Sequence, residues 1–548
     1  MSGQVSLPNT TEEKELGSEE VVAGWRLACQ TEILGEVRVH IPPESFVTAQ
    51  RTQTEGQTPA IDLDPAVRTF NVNLTPPTLD DLRSDAKRLR EALNSPTLAF
   101  STPVLRRLSN DLRSFNFQAS VFIRGSSVVG LRPVRSHALG LAVDIGTTKL
   151  AAYLVDLARG ETLASMGAMN PQIAFGEDVM SRIGHAIIHP DGAEQLRTAI
   201  ADALNELARD LCTQTKRQTE DIADAVIVGN TAMHHLFLGL PVKQLGQAPY
   251  VAAESAALDL PAYELGLEIS PGAFVHLLPN IAGFVGSDHV AMLLASRLQE
   301  RKGVVLGMDI GTNTEISLVA HGRHLACSTA SGPAFEGAHI QFGMRAAPGA
   351  IEGVVIKGEQ VLIKTVEDMP PVGLCGSGIL DLVAQMLRAG IINPRGAMDS
   401  ASGNQRVRKG AHGGEFVVAM TENDGTEITF SRSDINEIQL AKGAIRAGVN
   451  ILLQHAGVTE GDIDEVIIAG AFGTYLNVQS GIDIGMFPRV DRHLYKQVGN
   501  AAGAGARMAL LSQAQRERAK ELARRVEYIE LTAEGGFASK FAKALPFD

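Results

Sequence analysis

The sequence predicts a duplicated α/β protein of two lobes, with a smaller α/β unit ahead of them. Two stretches carry the duplication, LGLAVDIGTTKLAAYLVDL (139–157) and VVLGMDIGTNTEISLVAHG (304–322). Each is an apolar strand that ends in Asp-Ile-Gly-Thr and resumes as a second strand, and the interval between them is the size of a domain. From about residue 138, apolar runs ending in glycine turns alternate with alanine-rich helical stretches, the texture of an α/β architecture. A length of 548 residues leaves room for three or four domains.

The chain divides into four parts. Residues 1–43 are polar around one island, GWRLACQTEILGEVRVHIPP, where Glu36 to Ile41 alternate like a half-buried strand until Pro42-Pro43 stops it. Residues 44–63, beginning ESFVTAQRTQTEGQTP, read as a linker. Residues 64–137 read as a small α/β middle domain. In it RTFNVNL is a strand, and TPPTLDDLRSDAKRLREAL is a helix opened by Thr78, with Asp81 at capping-box spacing. TPVLRRLSNDLRSF is a second helix with Pro103 in its first turn, and FQASVFIRG and SSVVGLRPV are paired strands. Nothing there carries chemistry, so a packing or spacer role is expected. Residues 138–548 form the duplicated domain, with lobes of roughly 138–303 and 304–548.

Composition narrows the functional classes. Acidic side chains outnumber basic ones 62 to 49, which disfavours nucleic acid as the main partner because phosphate backbones need concentrated positive charge. No run of about 18 apolar residues spans a membrane, and the opening MSGQVSLPNT lacks the basic and apolar regions of a signal peptide. A cytoplasmic location is expected. Cys29, Cys212, Cys327 and Cys375 lie far apart without a CxxC, which argues against a disulfide scaffold or a cysteine-ligated metal.

The repeated turn has a chemical reading. Glycine lets backbone approach a phosphate, and successive N–H groups make an anion-binding nest. Gly146, Thr147 and Thr148 in the first turn, and Gly311, Thr312 and Asn313 in the second, supply that backbone and short polar side chains. Asp144 and Asp309, at the strand ends, can hold Mg²⁺ against the phosphates directly or through water. Two such hairpins facing each other would clamp a polyphosphate. Gly470-Ala471-Phe472-Gly473 is a further small-residue turn after a strand, able to lie against a base or ribose. GLCGSGILDLVAQML (373–387) is a glycine turn opening a helix. There is no GxxxxGK[ST], so the P-loop mode is absent.

These hairpins and turns together resemble the acetate and sugar kinase/Hsp70/actin superfamily. NPQIAFGEDVMSRI (170–183), VGNTAMHHLFLGLP (228–241), DIGTNTEISL (309–318), CSTASGPAFEGAHIQFGMRAAPGAI (327–351) and QLAKGAIRAGVNILL (439–453) make the chain similar to one branch, the reductive activators of corrinoid-dependent proteins. The resemblance implies a duplicated RNase H-like, actin-like ATPase fold with ATP and Mg²⁺ in the interlobe cleft. It implies ATP-driven reduction of a corrinoid from Co(II) to Co(I), with a corrinoid protein or corrinoid-dependent methyltransferase as partner, an electron donor, and a homodimer. By the same resemblance, Asp144 and Asp309 organise Mg-phosphate, the two turns cradle phosphates, and Gly470, Ala471 and Gly473 line the adenosine side. Lys149 and Glu315 are placed nearby, and the loop Ser328–Gly337 where the partner docks. A small-molecule kinase and a nucleotide-gated interaction module are the competing functions.

The N-terminus departs from the family pattern. A plant-type [2Fe–2S] domain needs three clustered cysteines and a distant fourth, and here Cys29, in RLACQ, resembles only the fourth ligand. Residues 1–43 thus look like the remnant of a ferredoxin-like domain, with the cluster expected only in a full-length form. A start assigned too late, a shortened chain and a lineage without the cluster all stay open. Cys212, Cys327 and Cys375 read as buried thiols, and His234-His235 as packing residues, since adjacent histidines on a helix point about 100° apart. Arg182, His185 and His189 are placed on a polar helix face, and Arg516, Arg518, Lys520, Arg524 and Arg525 on a solvated one. Glu177 and Asp178 either approach the cleft or serve a helix N-terminus.

Overall fold

The computed structural model describes residues 2–27, 30–39, 61–398, 404–410, 413–421, 425–470, 473 and 476–547. Two six-stranded sheets repeat one plan. In the first, Leu139–Ile145, Lys149–Asp156 and Glu161–Met169 form an antiparallel meander. Ile222–Gly229 and Phe274–Leu277 extend it in parallel, and antiparallel Leu258–Pro261 closes the edge. In the second, Val304–Ile310, Thr314–Ala320 and Arg323–Thr329 make the meander, and Ile463–Ala469 and Tyr495–Gly499 the parallel extension. The leading strands LGLAVDI and VVLGMDI read as unbroken apolar runs because both faces are covered. Each leaves a single position half-buried, Asp144 in one and Asp309 in the other.

A seam of small residues joins the lobes. Helix Ser287–Ser296 leads into the second lobe and packs along helix Ala501–Leu511, which leaves the second sheet. The sequence AAGAGARMALL makes this contact possible: a Cβ on Gly505 would fall 2.0 Å from the Ala291 carbonyl oxygen. Hydrophobic side chains from both sheets, including Tyr153, Val305 and Ile467, share one core around these helices.

The smaller sheet has the order Val67–Asn73, Gln118–Arg124, Ser127–Pro133, Ala99–Phe100. Leu89, Val104, Leu108 and Leu112, from helices Asp85–Ala92 and Thr102–Ser114, cover it. The first helix starts at Ser84, whose hydroxyl accepts from the Lys87 N–H, and not at Thr78. The Asp81 carboxylate is taken by Arg83 and Arg88, so Thr78 and Asp81 form a turn instead of a cap. Near the N-terminus, Ser2–Val5 pairs with Ile33–Arg38, three residues earlier than the alternation suggests; His40 and Ile41 lie outside the described residues. Between those strands Glu12 is buried against Arg26, whose guanidinium holds its carboxyl well below the usual range.

A charged junction ties the small sheet to the first lobe. Arg516 is buried and paired with Asp224. It leaves the expected solvated face because helix Gln513–Arg525 folds back onto helix Ser287–Ser296. Arg124 of the small sheet pairs with Asp259 and lies 3.8 Å from Asp224. Arg132 meets Asp221 at 2.7 Å. None of the described helices is long and apolar enough to cross a membrane. Asp224→Ala leaves Arg516 buried without its partner. It is expected to cost about 3–5 kcal/mol, read from the urea midpoint of the first unfolding transition, and adding Arg516→Met should recover much of that loss.

Candidate functional site

The two hairpins converge on one cleft of about 260 Å³ between the lobes. Asp144, Gly146, Thr147 and Thr148 line one wall, and Asp309, Gly311, Thr312 and Asn313 the facing one. Gly470 lines it too, at φ +92°, where a Cβ would fall 2.5 Å from the Ile310 carbonyl oxygen. Gly473 instead turns onto its own strand, its carbonyl accepting from Gln497, and a Cβ there would fall 2.7 Å from Ile468 Cγ2. Ala471 and Cys29 lie outside the described residues. The Gly376–Arg388 helix, opened by the expected glycine turn, brings Gly376 and Ser377 to the cleft.

The first turn is fixed from behind. Asn170 Nδ2 donates to the Gly146 carbonyl at 2.8 Å, and the Asn170 N–H to that of Thr148 at 2.9 Å. Arg182 Nη2 donates to the Thr147 carbonyl at 2.6 Å. Arg182 is therefore fully buried, not on a polar face, because helix Val179–Ile188 lays this edge against the turn. Asn230 Nδ2 donates to Thr147 Oγ1 at 3.0 Å. The second turn is held by a neutral hydroxyl, Ser331 Oγ, 3.2 Å and 3.3 Å from the Gly311 and Thr312 carbonyls. The loop 328–337 thus runs into the cleft, where Phe335 and Glu336 line the wall.

Several contacts bridge the lobes. Thr312 Oγ1 donates to Glu336 Oε1 at 2.6 Å, which leaves its lone pairs to accept from Thr148 Oγ1 at 3.3 Å. Asn500 Nδ2, at the end of the second sheet, donates to Asp144 Oδ2 of the first at 3.2 Å. At the exposed rim Glu177 lies 3.9 Å from His339, while Asp178 caps its own helix with Ser181.

Besides Glu336, four carboxylates line this cleft: Asp144, Asp288, Asp309 and Glu315. Burial raises Asp144 to about 6, opposed by its hydrogen bond from Asn500. Burial and then Asp144 raise Asp309 to about 7, and burial, Asp144 and Asp309 raise Asp288 to about 8. Glu315 is pushed well above the carboxylate range by burial and by Asp288 and Asp309. Register accounts for part of this, because Glu315 stands directly across the ladder from Asp309, a like-charge pair. In the first hairpin Ala151 occupies the place opposite Asp144. Burial also lowers Lys149, which faces the same space.

Sequence reasoning missed Asp288, Asn230, Asn500 and Arg345, all of which line the cleft. The available signal for Asp288 was an acid opening an otherwise apolar helix, SDHVAMLLAS, where it does not serve as the cap. His234 and His235 are buried, as are Cys212, Cys327 and Cys375. Among the described residues no three His, Cys, Asp or Glu side chains converge as a ready-made metal site.

Comparison with known proteins decides the family. Family models described as the RACo linker region, the RACo middle region and the C-terminal, ASKHA domain of RACo match residues 56–138, 139–301 and 303–548. The chain is 32% identical over 532 residues to the corrinoid activation enzyme RamQ of Eubacterium limosum, covering 94% of this chain and 88% of RamQ. This chain belongs to the RACo family of reductive corrinoid activators. The solved structure of a reductive activator for corrinoid, iron–sulfur protein shares the fold of this RACo-family protein. The two are 36% identical with a TM-score of 0.79, over 100% of this chain and 90% of that one. The Methanosarcina barkeri reductase of the Co(II) methylated amine-specific corrinoid protein is 25% identical over 71% of this chain and 72% of its own. The two-lobed actin-like ATPase architecture expected from the hairpins is the one observed.

The raised acids give this RACo-family protein a characteristic pH dependence. Asp144, Asp309 and Asp288 bind protons more tightly folded than unfolded, so their stabilisation is complete below about pH 4 and is lost as pH rises through about 6 to 8. The melting temperature of cation-free protein is expected to fall between pH 5.5 and 8.5. Mg²⁺ with nucleotide should flatten that fall, and Asp288→Asn should shrink it, both read by scanning calorimetry.

Proposed function

We propose that this protein binds and hydrolyses ATP in the interlobe cleft to drive reduction of a partner's corrinoid from Co(II) to Co(I). The observation that carries the reading is the pair of glycine hairpins, each ending in a half-buried aspartate, closed face to face in a chain matched by RACo models from residue 56 to 548. The partner class follows from the corrinoid proteins named for the relatives.

The residues present fit Mg-ATP. Thr147, Thr148, Thr312 and Asn313 offer hydrogen bonds to phosphate oxygens, with Lys149 and Arg345 as cations on the same walls. Bound Mg²⁺ neutralises phosphate charge and polarises the phosphoryl group. Asp144 and Asp309, at the hairpin strand ends, would hold it directly or through water. Gly470 and the Gly376–Ser377 turn leave flat backbone for adenosine. Asp288, pushed up to about 8, suits a general base that takes a proton from the attacking water, because such a base serves best near the working pH.

Binding must also move the lobes. Shifting them from one part closed in a hundred to nearly all closed takes about 5.5 kcal/mol of differential affinity. Hydrogen bonds bridging Thr148, Thr312 and Glu336 supply some of the contacts that ligand would reorganise. The described cysteines do not fit an iron–sulfur ligand set: Cys212, Cys327 and Cys375 are buried in separate places, with thiols pushed up by burial. A [2Fe–2S] cluster belongs to this reading only in a form that carries the other ligands; otherwise a separate donor supplies the electron. A homodimer is part of the proposal.

Purified protein is expected to hydrolyse ATP slowly, and faster when a Co(II) corrinoid protein is added. With a reductant present, Co(I) should appear in the visible spectrum. Asp288→Asn should lower turnover about 100-fold with ATP affinity within a few-fold of the parent. Failure to bind both nucleotide and corrinoid protein overturns the reading.

A further inference from the structure

We propose that Arg182 is a positioning residue for the nucleotide phosphates, fixing the first turn from behind and supplying a buried positive charge that the bound anion complements. The inference rests on the nucleotide reading above and assigns a role to a side chain outside the cleft lining.

Every hydrogen-bond partner of this guanidinium is neutral. It donates to the Thr147 carbonyl at 2.6 Å, the Gly176 carbonyl at 2.9 Å, Gln172 Oε1 at 3.4 Å and Met233 Sδ at 3.3 Å. No carboxylate among the described residues hydrogen-bonds to it. Asp178, the acid that acts on it through space, is exposed and accepts the Ser181 N–H at its Oδ1. Burial lowers Arg182 to about 10, so it stays charged at neutral pH. A fully buried cation without a counter-charge is costly and is retained where something else compensates it.

Geometry indicates what that is. In a trans peptide the C=O and the following N–H point opposite ways. Holding the Gly146 and Thr147 carbonyls beneath the turn therefore directs the Thr147 and Thr148 amides to the other side, and both of these residues line the cleft. Arg182 thus orients the Thr148 amide, as Asn170 does that of Thr147, and places its charge behind both. Among the described residues, the side chain in this position at the second turn is the Ser331 hydroxyl. The two turns are chemically unequal: the first is a stiff, cationic seat and the second a neutral cover.

Titration calorimetry with ATP, ADP and adenosine in the presence of Mg²⁺ tests this. Arg182→Gln is expected to weaken ATP about 10- to 100-fold, ADP less, and adenosine within twofold. Arg182→Lys, which keeps the charge but loses the fork, should fall between the parent and Arg182→Gln. A purely structural role would weaken all three ligands alike, and that result overturns the proposal, as does a parent-like ATP-to-adenosine ratio in folded Arg182→Gln. If that variant does not fold, a parent-like ratio in Arg182→Lys overturns it and a reduced ratio supports it. Absence of ATP binding by the unaltered protein would instead sink the nucleotide reading itself.

Discussion

Asp144, Asp288, Asp309 and Glu315 share a cleft whose walls exclude much of the water, and their mutual repulsion is the constraint the rest of the site answers to. Like charges this close stay together only with protons on, or with cations between them. The tight seam of helices Ser287–Ser296 and Ala501–Leu511 keeps the lobes from relaxing apart, because Gly505 leaves no side chain to give way. The Asp309–Glu315 register shows that the fold accepts an unfavourable cross-strand pair here. The proposed Mg-nucleotide would bring the positive charge that such a cluster lacks.

Duplication supplied two equivalent acids, but the turns beside them have diverged. Gly146 N–H bonds to the Lys149 carbonyl, whereas Gly311 N–H bonds to the nearer Asn313. That one-residue difference brings a carboxylate opposite Asp309 and an alanine opposite Asp144. Asymmetry in register and in backing groups makes the two halves of a repeated motif chemically distinct, as an unsymmetrical ligand requires.

Both hairpins were legible in the sequence because their signal is local: an apolar strand, an acid at its end, a glycine after it. Paired strands in the small domain were legible for the same reason. Asp288 and Asn500 were not, since each sits at a helix start and becomes functional only when a second lobe is placed against it. Arg182 and Arg516 were misplaced because charge alone suggests solvent; their burial depends on carbonyls and an acid contributed from far along the chain. The first helix of the small domain was started too early because Asp81 has arginine partners that a capping pattern does not reveal.

The charged junction has a mechanical consequence. Arg124 and Arg132 tie the small sheet to Asp259 and Asp221, and the Gly272 N–H and Ser270 hydroxyl both donate to the Val129 carbonyl. All of these anchors lie on the first lobe. The small sheet is therefore held against that lobe. Just ahead of that sheet, Asp64 exchanges backbone hydrogen bonds with Leu511 and Gln513, so the entry to the small domain is pinned beside the helix seam that joins the lobes.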